Sequence, residues 1–482
     1  MTRLVVGPFN RVEGDLELTL DVDDGVVRAA RVTTPLYRGF EQLLVGRPAA
    51  DALVVAPRIC GICSVSQSIA AAAALRALDG LAPAPNGLLA ANLAHAAENI
   101  ADHLTHFYVF FMPDFARTEY ADRSWFAATE RRFKAMRGEA AAAALPARAR
   151  LLEILGLIAG KWPHSLAFQP GGVTRGLDLG EKMRLIAVVA EFREFVEQTL
   201  VGLPLDEFLA IDSPEALDRA AEGRAAAGDF SAFVRLARDL RLDSLGRLTT
   251  ELMSFGAYQF ETPFLPSGLF NSSDGAVVAL PEDAIGEDVA HSWMRETDRD
   301  PASAETIPDA LKAGAYSWAK APRLSGRPVE VGAVARQAVS GDPLVRALIA
   351  QEGGTNVFTR VVARIREIAR LVEAADQWAR ALRMSEPFCA HGPNKADGRV
   401  AARVEAARGA LGHWLDVRGG IIRRYQIIAP TTWNFSPRDS EGTPGPVEAA
   451  LEGVAVGPLG ARAAAVQHVV RSFDPCMVCT AH

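Results

Sequence analysis

The chain of 482 residues holds five cysteines, and four of them fall into two Cys-x-x-Cys hooks: Cys60-Gly61-Ile62-Cys63 and, near the end, Cys476-Met477-Val478-Cys479. Four thiolates in two hooks make a soft, tetrahedral donor set suited to zinc, to an iron-sulfur centre or to another thiophilic transition metal. Spacing alone does not choose among them, and on the cysteine pattern by itself a closed structural zinc site leads. Should the hooks meet in space, the chain must close on itself. Length gives a prior of roughly three domains at about 150 residues each, but a closure between residues 60 and 476 argues for a single unit over residues 1–482. So few cysteines do not form a disulfide scaffold, and the unpaired Cys389 reads as a small buried hydrophobe.

Charge removes several function classes. With 58 acidic against 51 basic residues, the net charge of −7 offers no field to gather a polyphosphate, so nucleic acid is not an expected partner. The longest charge-free stretches, Gly80 to Ala97 and Ile59 to Leu75, are interrupted by Pro83, Pro85, Asn86 and Asn92 and by Ser64, Ser66, Gln67 and Ser68. Both fall short of the ~20 apolar residues that span a bilayer. The N-terminus lacks an apolar stretch of the secretory type, which makes the cytoplasm the expected compartment.

Patterning points to a mainly helical fold with a small sheet at the start. Leu16, Leu18, Leu20 and Val22 alternate with polar neighbours, Asp23-Asp24-Gly25 makes a turn, and Val26 and Val27 resume, which reads as a β-hairpin. An Ala-rich helix is expected over Ile69 to Leu78, a second over about Glu181 to Leu200, and a third through Val357, Val361, Ile365, Ile368 and Val372. The Pro- and Gly-rich stretches from Arg295 to Gly332 and beyond Pro430 read as ordered loops, because each carries aromatics that want burial.

The hooks keep distinctive company. Arg11-Val12-Glu13-Gly14 opens the chain and Tyr37-Arg38-Gly39-Phe40-Glu41 follows the hairpin. In order come His103-Leu104-Thr105-His106-Phe107-Tyr108, Pro170-Gly171-Gly172-Val173-Thr174, Tyr316 to Arg323, Arg408-Gly409-Ala410-Leu411-Gly412-His413-Trp414 and Pro430-Thr431-Thr432-Trp433-Asn434. With the first hook and the terminal Asp474-Pro475-Cys476 to His482, these resemble the large subunit of nickel-iron hydrogenases from residue 3 to residue 482. The quinone-site subunit of respiratory complex one shares that fold but is expected to lack the four cysteines.

The resemblance implies an α+β, mainly α-helical fold with a central helical bundle, a small N-terminal β-sheet and the metals near the centre. It implies that Cys60 and Cys476 are terminal thiolates on nickel, while Cys63 and Cys479 bridge nickel to an iron carrying carbon monoxide and cyanide. Arg408 and Thr431 match the cyanide-facing positions, with Ala407 where the family often has proline. Glu13 matches the proton-transfer carboxylate, and Asp102 and Asp474 match the acids that flank the arginine. Glu41, the Ile427 carbonyl and His482 resemble the ligands of Mg2+ or a similar divalent ion. A carboxyl beside a thiolate has a raised pKa and so suits proton shuttling.

Three further positions depart from the common pattern. Gln67 stands where most members have histidine, Ile62 where valine is usual, and Phe110 where a smaller aliphatic residue is usual. In the family the last two line the final part of the gas channel, where bulk slows O2 more than H2. That combination resembles the hydrogen-sensing, regulatory branch, and the absence of residues after His482 agrees with it. The expectation is an oxygen-tolerant H2 sensor of low turnover that reports to a histidine kinase; the alternative is an energy-yielding uptake enzyme. Iron-sulfur clusters need about four cysteines each, so they belong in a separate small subunit.

Overall fold

The computed structural model describes residues 2–260, 262–392, 397–456 and 464–482. Its N-terminal sheet is the expected hairpin with one more strand. Strand β2 (Glu17–Asp23) and strand β3 (Val26–Thr33) are antiparallel, and β1 (Thr2–Val6) pairs with β2. The turn works because Asp24 and Gly25 both take positive φ, 50° and 72°, which only a short polar residue and a glycine accept readily.

The centre is helical. Helix α1 (Ser64–Asp79) follows the first hook directly, and α2 (Pro85–Thr105) starts on a proline at its first position, where no N–H is missed. Helix α3 (Leu179–Phe195) opens with a reciprocal cap between Asp178 and Glu181, and α4 (Val357–Ala381) with one between Asn356 and Thr359. Helix α4 packs against both α2 and α3. Its apolar residues Val361, Ile365 and Ile368 are fully buried, as their spacing predicts.

The same helix buries Arg360, Arg366 and Glu367, and each is matched. Arg360 Nε lies 2.7 Å from Glu330, Arg366 Nε 2.9 Å from Asp342, and Glu367 receives Arg336 at 2.6 Å and His103 Nε2 at 3.0 Å. A buried charge without a partner destabilises by several kcal/mol, so these pairs fix how the bundle registers.

Sheet content exceeds the sequence expectation. A four-stranded sheet is built from Glu251–Ala257, Leu265–Phe270, Val277–Val278 and Val329–Glu330. A second sheet carries site residues: β4 (Gly398–Ala406), β5 (Gly409–Arg418) and β6 (Ile421–Ile428), all antiparallel. Arg408 sits in the tight connection from β4 to β5, where Gly409 has φ 131° and a Cβ would meet the Gly332 nitrogen at 2.6 Å. Nearly every residue of β5 is buried, so it lacks the polar alternation that marks a strand in sequence.

The Pro-Gly-Gly motif also has a packing reason. A Cβ on Gly171 would lie 1.9 Å from the Ala390 carbonyl oxygen, because the chain after α4 crosses there backbone to backbone. Cys389, on that crossing strand, is half-buried beside a groove of about 650 Å³; it is not the fully buried hydrophobe the sequence suggested.

Candidate metal centre

The two hooks meet. Cys60 Sγ lies 3.5 Å from Cys476 Sγ, Cys63 Sγ 3.2 Å from Cys479 Sγ, and Cys476 Sγ 3.1 Å from Cys479 Sγ. All four are buried and none is in a disulfide. The first hook is held by the end of a tight turn and the start of α1; the second straddles the short helix Met477–Thr480. The N-terminal segment holds the second hook: Met477 N donates to the Glu13 carbonyl at 2.7 Å, and Glu13 N to the Pro475 carbonyl at 3.4 Å. Arg38 adds a clamp, its guanidinium donating to the carbonyls of Ile59 and Val478 at 2.5 Å each.

Electrostatics show what this crowding asks for. Hydrogen bonds from Cys476 first, and then from Cys479 and Cys63, hold the Cys60 thiol well below its usual range. Cys63 and Cys479 are pushed well above it, each first by its sulfur contact with Cys476. One thiolate is therefore easy to form and the others resist. A cationic centre that takes all four sulfurs removes that conflict, since coordination deprotonates a thiol outright. The residues present fit a thiolate-bound metal.

Above the sulfurs sits a buried ion triad. Arg408 Nη1 lies 2.5 Å from Asp102 Oδ2, Nη2 lies 3.1 Å from Asp474 Oδ1, and Nε donates to the Asp474 carbonyl at 2.7 Å. Two carboxylates on one guanidinium titrate as a pair. Burial drives Asp102 upward against the pull of Arg408; burial also opposes ionisation of Asp474, but Arg408, His106 and Arg364 outweigh it and hold that carboxyl down. Asp102 is 2% exposed, so it is no helix-surface charge. Thr431 Oγ1 accepts from Cys476 N at 3.1 Å, which leaves its hydroxyl proton free to donate.

Glu13 is half-buried beside the hooks. Burial raises its carboxyl pKa, the negative charge of Cys60 adds to the rise, and Arg408 opposes it. This is the environment expected of a proton-accepting carboxylate next to a thiolate.

Glu41, Ile427 and His482 also come together. Glu41 Oε1 accepts from Ile427 N at 2.7 Å and lies 3.4 Å from His482 Nε2. His482 Nε2 lies 2.8 Å from the Ile427 carbonyl oxygen, and Nδ1 2.8 Å from the Cys479 carbonyl oxygen. A neutral imidazole has one N–H and cannot serve two carbonyls. A cation bound between Nε2, the Ile427 carbonyl and Glu41 resolves this, and a cavity of about 20 Å³ adjoins the three. Sequence reasoning missed the groups that complete the surroundings. Lys320 Nζ lies 2.6 Å from Gln426 Oε1 and 3.0 Å from Glu287, and Thr306 donates to Glu41. Lys320 stood inside a quoted motif, but nothing in the sequence places it 3.8 Å from Glu41.

Ile62 and Phe110 are half-buried. Ile62 packs against the cluster around the hook cysteines, and Phe110 lies in the wide helical turn His106–Phe111, its carbonyl accepting from Arg11 at 3.2 Å. Gln67 is fully buried, its Oε1 2.8 Å from His413 Nε2, while His413 Nδ1 lies 2.8 Å from the Tyr425 hydroxyl.

With this geometry established, comparison with known proteins decides the family. Residues 38–140 and 139–482 match the profile of the nickel-dependent hydrogenases. The chain belongs to that family. The hydrogenase chain is 27% identical, over all of its length and 95% of the relative's, to the periplasmic [NiFeSe] hydrogenase large subunit of Desulfomicrobium baculatum. It is 27% identical, again over its full length and 96% of the relative's, to the quinone-reactive Ni/Fe-hydrogenase large chain of Wolinella succinogenes. Among solved structures, the Ni-Fe-Se hydrogenase from D. vulgaris Hildenborough in the reduced state matches with a TM-score of 0.85 and 27% identity, both chains fully covered. The expected fold class, α+β and mainly helical, is the fold observed.

Replacing Cys60, Cys63, Cys476 or Cys479 by Ser is expected to abolish nickel incorporation, because a hard alkoxide substitutes poorly for a soft thiolate. Elemental analysis of the purified variants checks this, and full nickel occupancy with an active protein in any one of them would overturn the site assignment.

Proposed function

We propose that this chain is the H2-cleaving subunit of a nickel-iron hydrogenase, and the observation that carries the reading is the convergence of four buried thiolates under the Arg408 triad with Glu13 beside them. A bound nickel-iron centre would supply the redox-active Lewis-acid chemistry by which H2 is converted to two protons and two electrons. Cys60, Cys63, Cys476 and Cys479 would hold that centre through their four sulfurs. Arg408 and the Thr431 hydroxyl offer donors to iron-bound cyanide, since buried anions need hydrogen-bond partners.

The chain's own residues handle the proton. Glu13, with its raised pKa, would take a proton at a carboxylate oxygen from a neighbouring cysteine sulfur once that sulfur is protonated, and release it outward. Asp102 and Asp474 hold the Arg408 guanidinium plane, which keeps its donors aimed and water out. Glu41, the Ile427 carbonyl and His482, which lie together, would hold Mg2+ or a similar divalent ion. Electrons leave through a separate iron-sulfur small subunit, because the one cysteine outside the hooks, Cys389, falls short of the about four that a cluster needs.

In its role, the chain reads as a regulatory H2 sensor signalling to a histidine kinase from the cytoplasm. Half-buried Ile62 and Phe110, both bulkier than the family norm, support that reading, as does Gln67. The second reading, an energy-yielding uptake hydrogenase, is favoured by the periplasmic and quinone-reactive names of the relatives above. Among the described residues no helix is long and apolar enough to cross a membrane.

Two experiments test these roles. Glu13→Gln keeps the shape and loses the titrating group, so H/D exchange is expected to fall on the order of 10²–10⁴-fold with nickel content unchanged; exchange near the parent level removes Glu13 from the relay. The double variant Ile62→Val with Phe110→Leu is expected to keep H2 activity without O2 and to lose it on air exposure. Its stability cost is on the order of 1–5 kcal/mol, tolerable for a chain of this size. Activity that survives prolonged air in the double variant removes the channel argument and leaves the uptake reading.

A further inference from the structure

Helix α1 begins at the bridging cysteine and lacks a cap of its own. Its N-cap residue is Cys63, with φ −109° and ψ 32°, and no side chain from that position reaches the first turn. In ordinary helices a Ser, Thr, Asp or Asn at the N-cap accepts from the second and third backbone N–H groups. A metal-binding cysteine cannot do this, because its side chain is committed elsewhere.

Another helix supplies the missing group. Glu98, on α2 and 2% exposed, accepts from Val65 N at 2.8 Å and from Ser66 N at 2.9 Å, the two N–H groups an N-cap side chain would have taken. Ser66 Oγ at 2.9 Å and Trp162 Nε1 at 3.0 Å also donate to it, and Ser64 Oγ lies 3.5 Å away. Every strong contact is a donor aimed at an acceptor, and the helix N-terminus adds favourable potential for an anion. One turn further along α2 is Asp102, which holds Arg408 at 2.5 Å. A single rigid helix therefore fixes both the start of the hook helix and the arginine above the sulfurs.

The far side of Glu98 opens toward the surface. Trp162 is half-buried, its neighbour Pro163 lies 3.8 Å from where a Gly61 Cβ would stand, and His164 Nδ1 lies 2.9 Å from the Pro57 carbonyl. The loop that completes the Glu98 cap thus also lies on the hook.

We propose that Glu98 is a positioning residue of the metal centre: it stands in for the cap Cys63 cannot provide and so sets the direction and the electron density of the Cys63 sulfur. The inference rests on the reading that the four cysteines hold nickel and iron. It goes beyond that reading in assigning a role to a carboxylate that touches neither metal ligand nor substrate. Burial pushes the Glu98 carboxyl up to about 7 against the pull of its donors; above that pH a glutamine at 98 loses the negative charge and turns an N–H2 toward donors, which leaves the helix N-terminus uncompensated. The sulfur then donates less to iron, and the carbon monoxide stretch moves up in frequency.

The test is infrared spectroscopy of the assembled protein beside elemental analysis. Glu98→Gln is expected to retain nickel at the parent level with an upward-shifted carbon monoxide band. A cap that serves stability alone would lower the melting temperature and leave the band where it was. Trp162→Phe, which deletes one donor at a half-buried ring, keeps the question open to experiment if the glutamine variant does not fold, and a displaced band supports the proposal. Bands superimposable on the parent's in the folded variants overturn the role of Glu98. A parent with no such bands overturns the metal reading instead, and the proposal with it.

Discussion

Four sulfur atoms held 3.1–3.5 Å apart without a disulfide are the constraint on which this structure turns. Left to themselves they compete for protons, with one thiol pulled down and its neighbours pushed up. Bringing them together requires opposite ends of the sequence to share a centre, which no local element can do. The fold supplies the closure with main-chain hydrogen bonds between Glu13 and the second hook and with the Arg38 clamp over both. The energy of the closure comes from the surrounding core, since a hydrophobic cluster reaches from the hook cysteines through α1 to the sheet β4–β6.

Around that centre, charge is arranged in matched sets. The Arg408 triad, the Lys320 group by Glu41 and the Arg336–Glu367–Glu405 network are all buried, and each cation meets at least one carboxylate. Such pairs add little net stability compared with apolar packing, but removing one partner is costly. They hold side chains in one geometry, which a site that must exclude water and aim donors requires. Glu98 follows the same logic with a helix terminus as its counter-charge.

Much of the site was legible because metal chemistry leaves short, ordered motifs. The hooks, Glu13, Arg408 and the terminal histidine all sit in strings whose order survives the separation, and His482 is fixed by two carbonyls despite its place at a chain end. The hairpin and the long helix Val357–Ala381 were legible from their periods. What stayed hidden depended on partners distant in sequence. β5 is buried on both faces and carries no alternation, Cys389 is only half-buried on a crossing that only the fold creates, and Lys320 reads as one more lysine until the fold brings it to Glu41. Glu98 had one faint signal: a second carboxylate one turn before Asp102 on a helix with no other acidic residue, where two unpaired charges would not be buried.

The reading of the four sulfurs as enclosing nickel and iron together is open to direct measurement. Anomalous diffraction from crystals of the assembled protein, collected on both sides of the nickel and iron absorption edges, tests it most directly. A nickel peak is expected within bonding reach of all four sulfurs, with an iron peak beside it, bonded to Cys63 and Cys479 only. A single zinc peak at the centre of the four, with neither nickel nor iron signal, would contradict it.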